Sequence, residues 1–236
     1  MQKSMIKLLS VADVVTLFNA TVGFFALLLV FSHQFPLAAS LILLGLLADG
    51  LDGMIARRLG TGKIGEYLEP LADMISLSIA PLTLIYVTYN KWVVLEPSTH
   101  LLLGIVLVFS LICSLIRLSS FSFLKEKRFF VGLPTSASAM FLVVLSYLIV
   151  DLWYLLVVIV VLSFGMISSI RFPKLGLKVN LVAAVFILIT ILFQGRYNNT
   201  APLLLLAALL FYVIIGPIYF QVKHRNSVTE TDETHT

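Results

Sequence analysis

Four acidic side chains lie at the end of one apolar stretch of the sequence and the start of the next. Asp49 and Asp52 are three residues apart, and Glu69 and Asp73 are four residues apart. On a helix, either spacing places both side chains on one face. Two antiparallel helices would then present four carboxylates to each other, and these would repel unless protons or cations neutralised them. Oxygen ligands without His or Cys favour Mg²⁺, Mn²⁺ or Ca²⁺, and two such ions would neutralise the cluster.

The neighbouring residues favour a ligand that carries phosphate. Gly53 and Ala56 have little or no side chain, so a planar ligand or a neighbouring helix can approach the backbone closely. Arg57 supplies a fixed positive charge for a phosphate. A single acid in an apolar helix often only pairs helices, but four acids next to an arginine favour a functional site.

The elements that carry these residues are predicted to be membrane helices. Of the 236 residues, 60% are hydrophobic and 12% are charged, and the mean hydropathy is +1.05. A soluble domain of this size exposes too much surface to water for such a composition, which excludes a soluble enzyme. The single cysteine, Cys113, excludes an intrachain disulfide and a sulfur-rich metal site. The net charge is +4, but the basic residues lie between apolar segments, so no nucleic acid partner is expected.

The predicted fold class is all-α, a polytopic membrane bundle of about eight transmembrane helices, since a bilayer core requires roughly 20 apolar residues per helix. The predicted spans are 14–32, 36–56, 69–89, 100–121, 134–150, 152–170, 179–194 and 201–221. Residues 134–170 are also compatible with one long span and a re-entrant segment, which leaves six or seven spans open.

The distribution of positive charge predicts the orientation of the bundle. Of the 16 Lys and Arg residues, all but Lys91 and Arg196 fall on the side of both termini. Short loops rich in Lys and Arg stay in the cytoplasm, so both termini and the acidic residues are expected on that side. Residues 1–225 are predicted to form one transmembrane domain, and the polar residues 226–236 a disordered cytoplasmic tail.

The acidic region resembles the signature of the CDP-alcohol phosphotransferases, membrane enzymes of phospholipid synthesis, in the pattern Asp49-x2-Asp52-Gly53-x2-Ala56-Arg57-x7-Gly65-x3-Glu69-x3-Asp73. Seven of the eight positions agree. The family normally has Asp at the position of Glu69, and its loop between the Arg and the second Gly is usually one residue longer. Glu69 keeps the charge of the family's Asp and is still expected to bind metal.

Four further segments resemble the phosphatidylserine synthase branch of that family, which includes the archaetidylserine synthases. They are Thr16-x2-Asn19-x3-Gly23, Ile116-Arg117-Leu118, residues 132–137 and residues 166–174. In the second segment, Ser119 and Ser120 replace the usual Ala-Arg. With the signature, the resemblance covers most of the first 175 residues.

The resemblance implies transfer of a phosphatidyl-type group from CDP-diacylglycerol or CDP-archaeol to L-serine, with release of CMP, by a homodimer embedded in membrane lipids. It implies Asp73 as general base and two Mg²⁺ or Mn²⁺ ions held by Asp49, Asp52, Glu69 and Asp73. It also implies a nucleotide site made by Asp49, Asp52, Gly53, Ala56, Arg57, Thr61 and Gly65.

The acceptor site is predicted from the chemistry of L-serine, whose carboxylate needs a cation. Arg117 and Arg171 lie on the cytoplasmic side within segments of resemblance, and they are the predicted cations. Asn19 is predicted as an acceptor-binding residue, although a hydrogen bond that pairs two helices would explain it equally well. Asp13 is expected on the solvated face of an interfacial helix.

Two alternative functions remain open. Residues 68–73 are similar to the L-D-P-x-A-D run of enzymes that use glycerol 3-phosphate or inositol phosphate, although those acceptors need a denser basic pocket. In an ion transporter or channel, the acids would line an ion pathway. Such a pathway needs polar groups along the whole membrane depth, whereas the spans from residue 179 onward contain few besides Asn180, Thr190 and Gln194.

Overall fold

A computed structural model of the chain describes residues 5–60, 62–93, 97–120, 123, 129–148, 151–174, 176–193 and 199–233. It is a bundle of helices with one small sheet. The α-helices are α1 (Val11–Phe31), α2 (Phe35–Leu59), α3 (Gly65–Asp73), α4 (Ala80–Val93), α5 (Pro97–Ser119), α6 (Thr135–Leu148), α7 (Leu152–Ile167), α8 (Leu177–Phe193) and α9 (Thr200–Glu233). A short 3-10 helix at Met5–Leu8 precedes α1, and a π-helical segment at Met74–Ile79 joins α3 to α4. The all-α fold class is therefore confirmed.

Among the described residues, five helical stretches are long and apolar enough to cross a membrane. They are Val11–Phe31, Phe35–Arg58, Gly65–Asn90, Pro97–Ser119 and Thr200–Pro217. Three shorter apolar helices, at Thr135–Leu148, Leu152–Ile167 and Val179–Phe193, occupy the other predicted spans. At roughly 1.5 Å per residue, α6 and α7 are about 21 and 24 Å long, which is less than the core of a typical bilayer. The number of crossings and the side of the termini stay predictions.

Asp151 lies between α6 and α7, where the sequence also allowed one long span and a re-entrant segment. Asp151 precedes α7 and caps it, because its side chain accepts a hydrogen bond from the backbone N–H of Trp153 at 2.9 Å. Such a cap satisfies one of the N–H groups that the first turn of a helix leaves without an intrahelical partner. The break predicted at Asp151 is confirmed.

A two-stranded antiparallel sheet links the loop before α6 to the loop after α7. Strands β1 (Phe129–Val131) and β2 (Arg171–Pro173) pair with Phe130 opposite Phe172. Gly132 follows β1 with a φ of 77°, a conformation that favours glycine, and a Cβ there would collide with the carbonyl oxygen of Met166. The sequence analysis did not predict these strands, because three residues are too short to show an alternating pattern.

Helix α9 extends beyond the predicted end of the transmembrane domain. It runs to Glu233, although the sequence predicts a disordered tail from residue 226. A helix that has already formed gains one hydrogen bond for each residue it adds, so polar residues can continue it without burial. The predicted tail is therefore helical at residues 226–233 in the structure.

Candidate active site

Helix α1 lies across both acidic segments and contacts each of them through one polar side chain. Thr16 Oγ1 donates a hydrogen bond to Asp52 Oδ2 at 2.7 Å. One turn further along α1, Asn19 Nδ2 donates to Asp73 Oδ1 at 3.0 Å. Both pairs are buried, so water does not compete for these bonds. The end of α2 and the end of α3 are thus brought together on one face of α1.

The four predicted metal ligands form an electrostatically coupled group. Asp52 and Asp73 are 4% and 9% exposed, and Asp49 and Glu69 are half-buried. Negative charge on Asp49, Asp52 or Glu69 would disfavour negative charge on Asp73, and charge on Asp52 or Glu69 would disfavour it on Asp49. Among the described residues, however, no three acidic or other metal-binding side chains are close enough to hold one ion together. The structure brings the predicted acids into one region and leaves them in an open arrangement.

The donor chemistry of this group fits a hard divalent cation. All four side chains offer carboxylate oxygens, the ligands that Mg²⁺ and Mn²⁺ prefer. Their mutual repulsion in a partly buried setting would be relieved by positive charge. The charge and the donor atoms fit such an ion, and only the spacing of the side chains would have to contract around it.

Asp13 joins the same region, and its predicted exposure is wrong. The side chain is 1% exposed, and its Oδ2 accepts a hydrogen bond from the backbone N–H of Ser10 at 2.7 Å in a capping box. The loop between α2 and α3 covers it, since a Cβ on Gly62 would collide with Asp13 Oδ2. Asp13 also adds negative charge near Asp52. The prediction failed because a helix cap and a loop from another part of the chain enclose this acid.

The predicted nucleotide residues lie along the end of α2 and the start of α3. Gly53 borders open space, because no atom lies within 4 Å of the place where its Cβ would be. Ala56 is half-buried and Arg57 is exposed at the last turn of α2, while Gly65 is buried at the start of α3. Thr61 lies outside the described residues. The missing side chain of Gly53 thus leaves room beside Asp52, as a bound nucleotide requires.

Of the predicted acceptor residues, only Asn19 lies against the acids in the contacts that the structure describes. Arg117 is buried near the end of α5, where its Nε donates to the carbonyl oxygen of Leu133 at 3.3 Å. The guanidinium of Arg171 lies 5.0 Å from the centre of the Phe129 ring, across the small sheet. These contacts connect both arginines to the β1–β2 region.

Sequence reasoning missed the role of Thr16 and the irregular helix after Asp73. Thr16 and Asn19 are three residues apart, a spacing that already placed them on one helix face. Pro70 lies inside α3, and the six-residue π-helical segment begins at Met74. π-Helical segments are rare in proteins, and those that occur are often found at functional sites. Asp73 therefore lies at the junction of two helix types.

A family model described as CDP-alcohol phosphatidyltransferase matches residues 9–214. A CDP-diacylglycerol–serine O-phosphatidyltransferase of Methanocaldococcus jannaschii is 33% identical over 174 residues, which cover 73% of this chain and 78% of the relative. An enzyme of the same name from Helicobacter pylori is 31% identical over 227 residues, or 88% and 92% of the two chains. The archaetidylserine synthase of Methanothermobacter thermautotrophicus is 30% identical over 179 residues, 73% of each chain.

Proposed function

This chain belongs to the CDP-alcohol phosphatidyltransferase family, and we propose that it transfers a phosphatidyl or archaetidyl group from a CDP-linked lipid to L-serine with release of CMP. The observation that carries the proposal is the buried pair of Asn19 and Asp73, held beside three further acids. The relatives named as serine transferases support serine as the acceptor.

In the proposed reaction, the hydroxyl oxygen of serine attacks the phosphorus that carries the lipid. The bond from that phosphorus to the CMP oxygen breaks, and CMP leaves with the electron pair. Asp73 takes the proton of the attacking hydroxyl as the general base. Asn19 holds one oxygen of the Asp73 carboxylate, so that the side chain keeps one orientation during the transfer.

Two Mg²⁺ or Mn²⁺ ions would be held by Asp49, Asp52, Glu69 and Asp73. When bound, such ions offset the negative charge on the pyrophosphate and on the leaving CMP. Thr16 supports this set, because its hydroxyl holds Asp52 Oδ2 and so limits the rotation of that side chain. Three or more of the carboxylates would have to move closer together to share one ion, and the positive charge of the ion would offset the repulsion between them.

The CDP group would lie in the open space beside Gly53, with the phosphates within reach of Arg57. Ala56, Thr61 and Gly65 would complete this nucleotide site. For the serine carboxylate we keep Arg117 and Arg171 as the candidate cations, and Asn19 as the candidate closest to the base. Any role of the two arginines in binding serine has to be compatible with their contacts at the β1–β2 region.

The chain is proposed to be a multi-pass membrane protein with both termini and the acidic site on the cytoplasmic side. The position of 14 of its 16 Lys and Arg residues supports this orientation. A homodimer is proposed from the resemblance to the family. Residues 1–225 would form the membrane domain of each protomer.

The test of the function is CMP release by purified protein in detergent with CDP-diacylglycerol and Mg²⁺ or Mn²⁺. We expect release to depend on L-serine and on the metal. Glycerol 3-phosphate and inositol phosphate are compared at equal concentration with the lipid held constant. CMP release with glycerol 3-phosphate but not with serine would contradict the assignment of serine as the acceptor. Cation flux into liposomes without turnover of the lipid would support the transporter instead.

Replacing Glu69 by Asp tests the departure from the family signature. We expect CMP release with Mg²⁺ to be equal to or higher than that of the unmodified protein, because Asp is the residue normally found at this position. The matched control is Glu66→Asp, which makes the same change at an exposed position one turn earlier in α3. A loss greater than about tenfold in kcat for Glu69→Asp alone would mean that the site has adapted to the longer side chain.

A further inference from the structure

Helix α1 and the π-helical segment after Asp73 meet at Gly23. A Cβ on Gly23 would lie 2.6 Å from Ser76 Cα and 2.9 Å from Ser76 N. Contacts this short do not occur between real side chains and backbone atoms, and backbone atoms cannot rotate away. The segment that begins one residue after Asp73 can lie against α1 only because position 23 has no side chain.

Helix α2 contributes a second close approach, at Gly45. A Cβ on Gly45 would lie 2.9 Å from Asn19 Oδ1 and 3.4 Å from Ser76 Cβ. The Asn19 side chain is fully buried, and its Oδ1 has no hydrogen-bond partner among the described residues. Two features therefore set the position of this amide. Its NH₂ group is bonded to Asp73, and Gly45 leaves space on its carbonyl side.

We propose that Gly45 is a positioning residue for Asp73, acting through the Asn19 amide, and that Gly23 supports the same arrangement by seating the π-helical segment against α1. Asn19 turns its NH₂ group towards Asp73 and its oxygen towards Gly45. A carboxylate that is to take a proton as a base has to accept this hydrogen bond, so the orientation suits the proposed role of Asp73. A methyl group on Gly45 would push against that oxygen and move the amide away from Asp73. The proposal rests on the proposed function of Asp73 as base, and it concerns a glycine outside the acidic signature.

Glycines in membrane helices also occur simply because they let helices approach each other. That explanation predicts a loss of stability for Gly45→Ala that does not depend on residue 19. Positioning predicts a loss of turnover that passes through Asn19, because a displacement of about 1 Å at a reacting group can lower a rate by on the order of a hundredfold. The two explanations therefore differ in whether the effect of Gly45→Ala depends on the side chain at position 19.

The experiment compares Gly45→Ala, Asn19→Ala and the double variant with the unmodified protein. We expect each single variant to lower kcat for CMP release by at least about tenfold, with the KM for the CDP-lipid within about threefold. In the Asn19→Ala protein, Gly45→Ala should cause no further loss of kcat. The matched control is Gly104→Ala on α5, where no atom lies within 4 Å of the added Cβ and kcat should not change.

Thermal unfolding in detergent gives a second measurement that needs no turnover. In the unmodified protein, Gly45→Ala should lower the midpoint of unfolding. In the Asn19→Ala protein, the same change should leave the midpoint unchanged or raise it, because the added methyl group no longer collides with the Asn19 oxygen and Ala is a better helix former than Gly. Equal shifts in both backgrounds would overturn the proposal. If Gly45→Ala cannot be purified, an unchanged kcat in Asn19→Ala would overturn it as well. If the unmodified protein releases no CMP, the proposed function fails, and the unfolding cycle alone decides whether Gly45 acts on Asn19.

Discussion

We expect Asp73→Asn to lower serine-dependent CMP release by about 10³-fold or more and to leave binding of the CDP-lipid within about threefold. General bases contribute roughly 10² to 10⁴ to rates, and an amide cannot accept the proton of the serine hydroxyl. The size and shape of the side chain are kept, and the amide oxygen introduced by the substitution can still accept the hydrogen bond that Asn19 now donates to Asp73. The change therefore removes the base with little change in the binding surface.

The measurement is CMP release together with equilibrium binding of the CDP-lipid, both at saturating Mg²⁺, because Asp73 is also a proposed metal ligand. The control is Glu66→Gln, the same loss of one charge at an exposed position in the same helix. Turnover close to that of the unmodified protein would refute the base assignment. Recovery of turnover at much higher Mg²⁺ would assign Asp73 to metal binding instead.

The sequence was sufficient to predict the positions of the main helices and the presence of the four acids in one region of the bundle. A helix must be apolar over some 20 residues to cross a bilayer, and acids spaced by three or four residues share a helix face, so both features follow from local patterns. The three-residue spacing of Thr16 and Asn19 places both on one face of α1, but it did not indicate that each of them contacts an acid. Which partner each of them takes depends on how α1 packs against α2 and α3.

Several other features depend on contacts between distant parts of the chain. Asp13 is buried because the loop at Gly62 closes over the start of α1, and nothing near Asp13 in the sequence indicates that loop. The sequence of the π-helical segment, MISLSI, is equally compatible with an α-helix, so the sequence pattern could not distinguish the two helix types. In the sequence, Gly45 is one of many small residues in a membrane helix. Its importance is visible only in the structure, where a Cβ at position 45 would lie 2.9 Å from Asn19 Oδ1.

The class of ion that the acids would prefer follows from the sequence more directly than the arrangement of the acids does. Sequence gives the number and type of ligands, and these define the class of ion. The spacing of the side chains is determined by packing, and in the structure the described acids do not converge on one point. Convergence on a cation would change both stability and activity, which makes metal removal a test of the whole group.

Removal of divalent cations with EDTA is expected to abolish CMP release, and Mg²⁺ or Mn²⁺ should restore it. The same ions should raise the midpoint of thermal unfolding without any lipid, because a ligand at about 100 times its Kd stabilises the folded state by about 2.7 kcal/mol. Both effects arise from the four acids, which repel one another in the absence of positive charge. Turnover that survives complete chelation would contradict the metal assignment.

The variant Asp49→Asn separates repulsion from simple loss of a ligand. Without metal it should be at least as stable as the unmodified protein, because the Asn side chain carries no charge that has to be buried beside Asp52 and Glu69. The rise in midpoint caused by Mg²⁺ should be smaller, because one ligand of the ion is gone. Glu66→Gln on the surface of α3 should leave the rise in midpoint unchanged. A metal-free Asp49→Asn protein that is less stable than the unmodified one would mean that other contacts already balance the charge of Asp49.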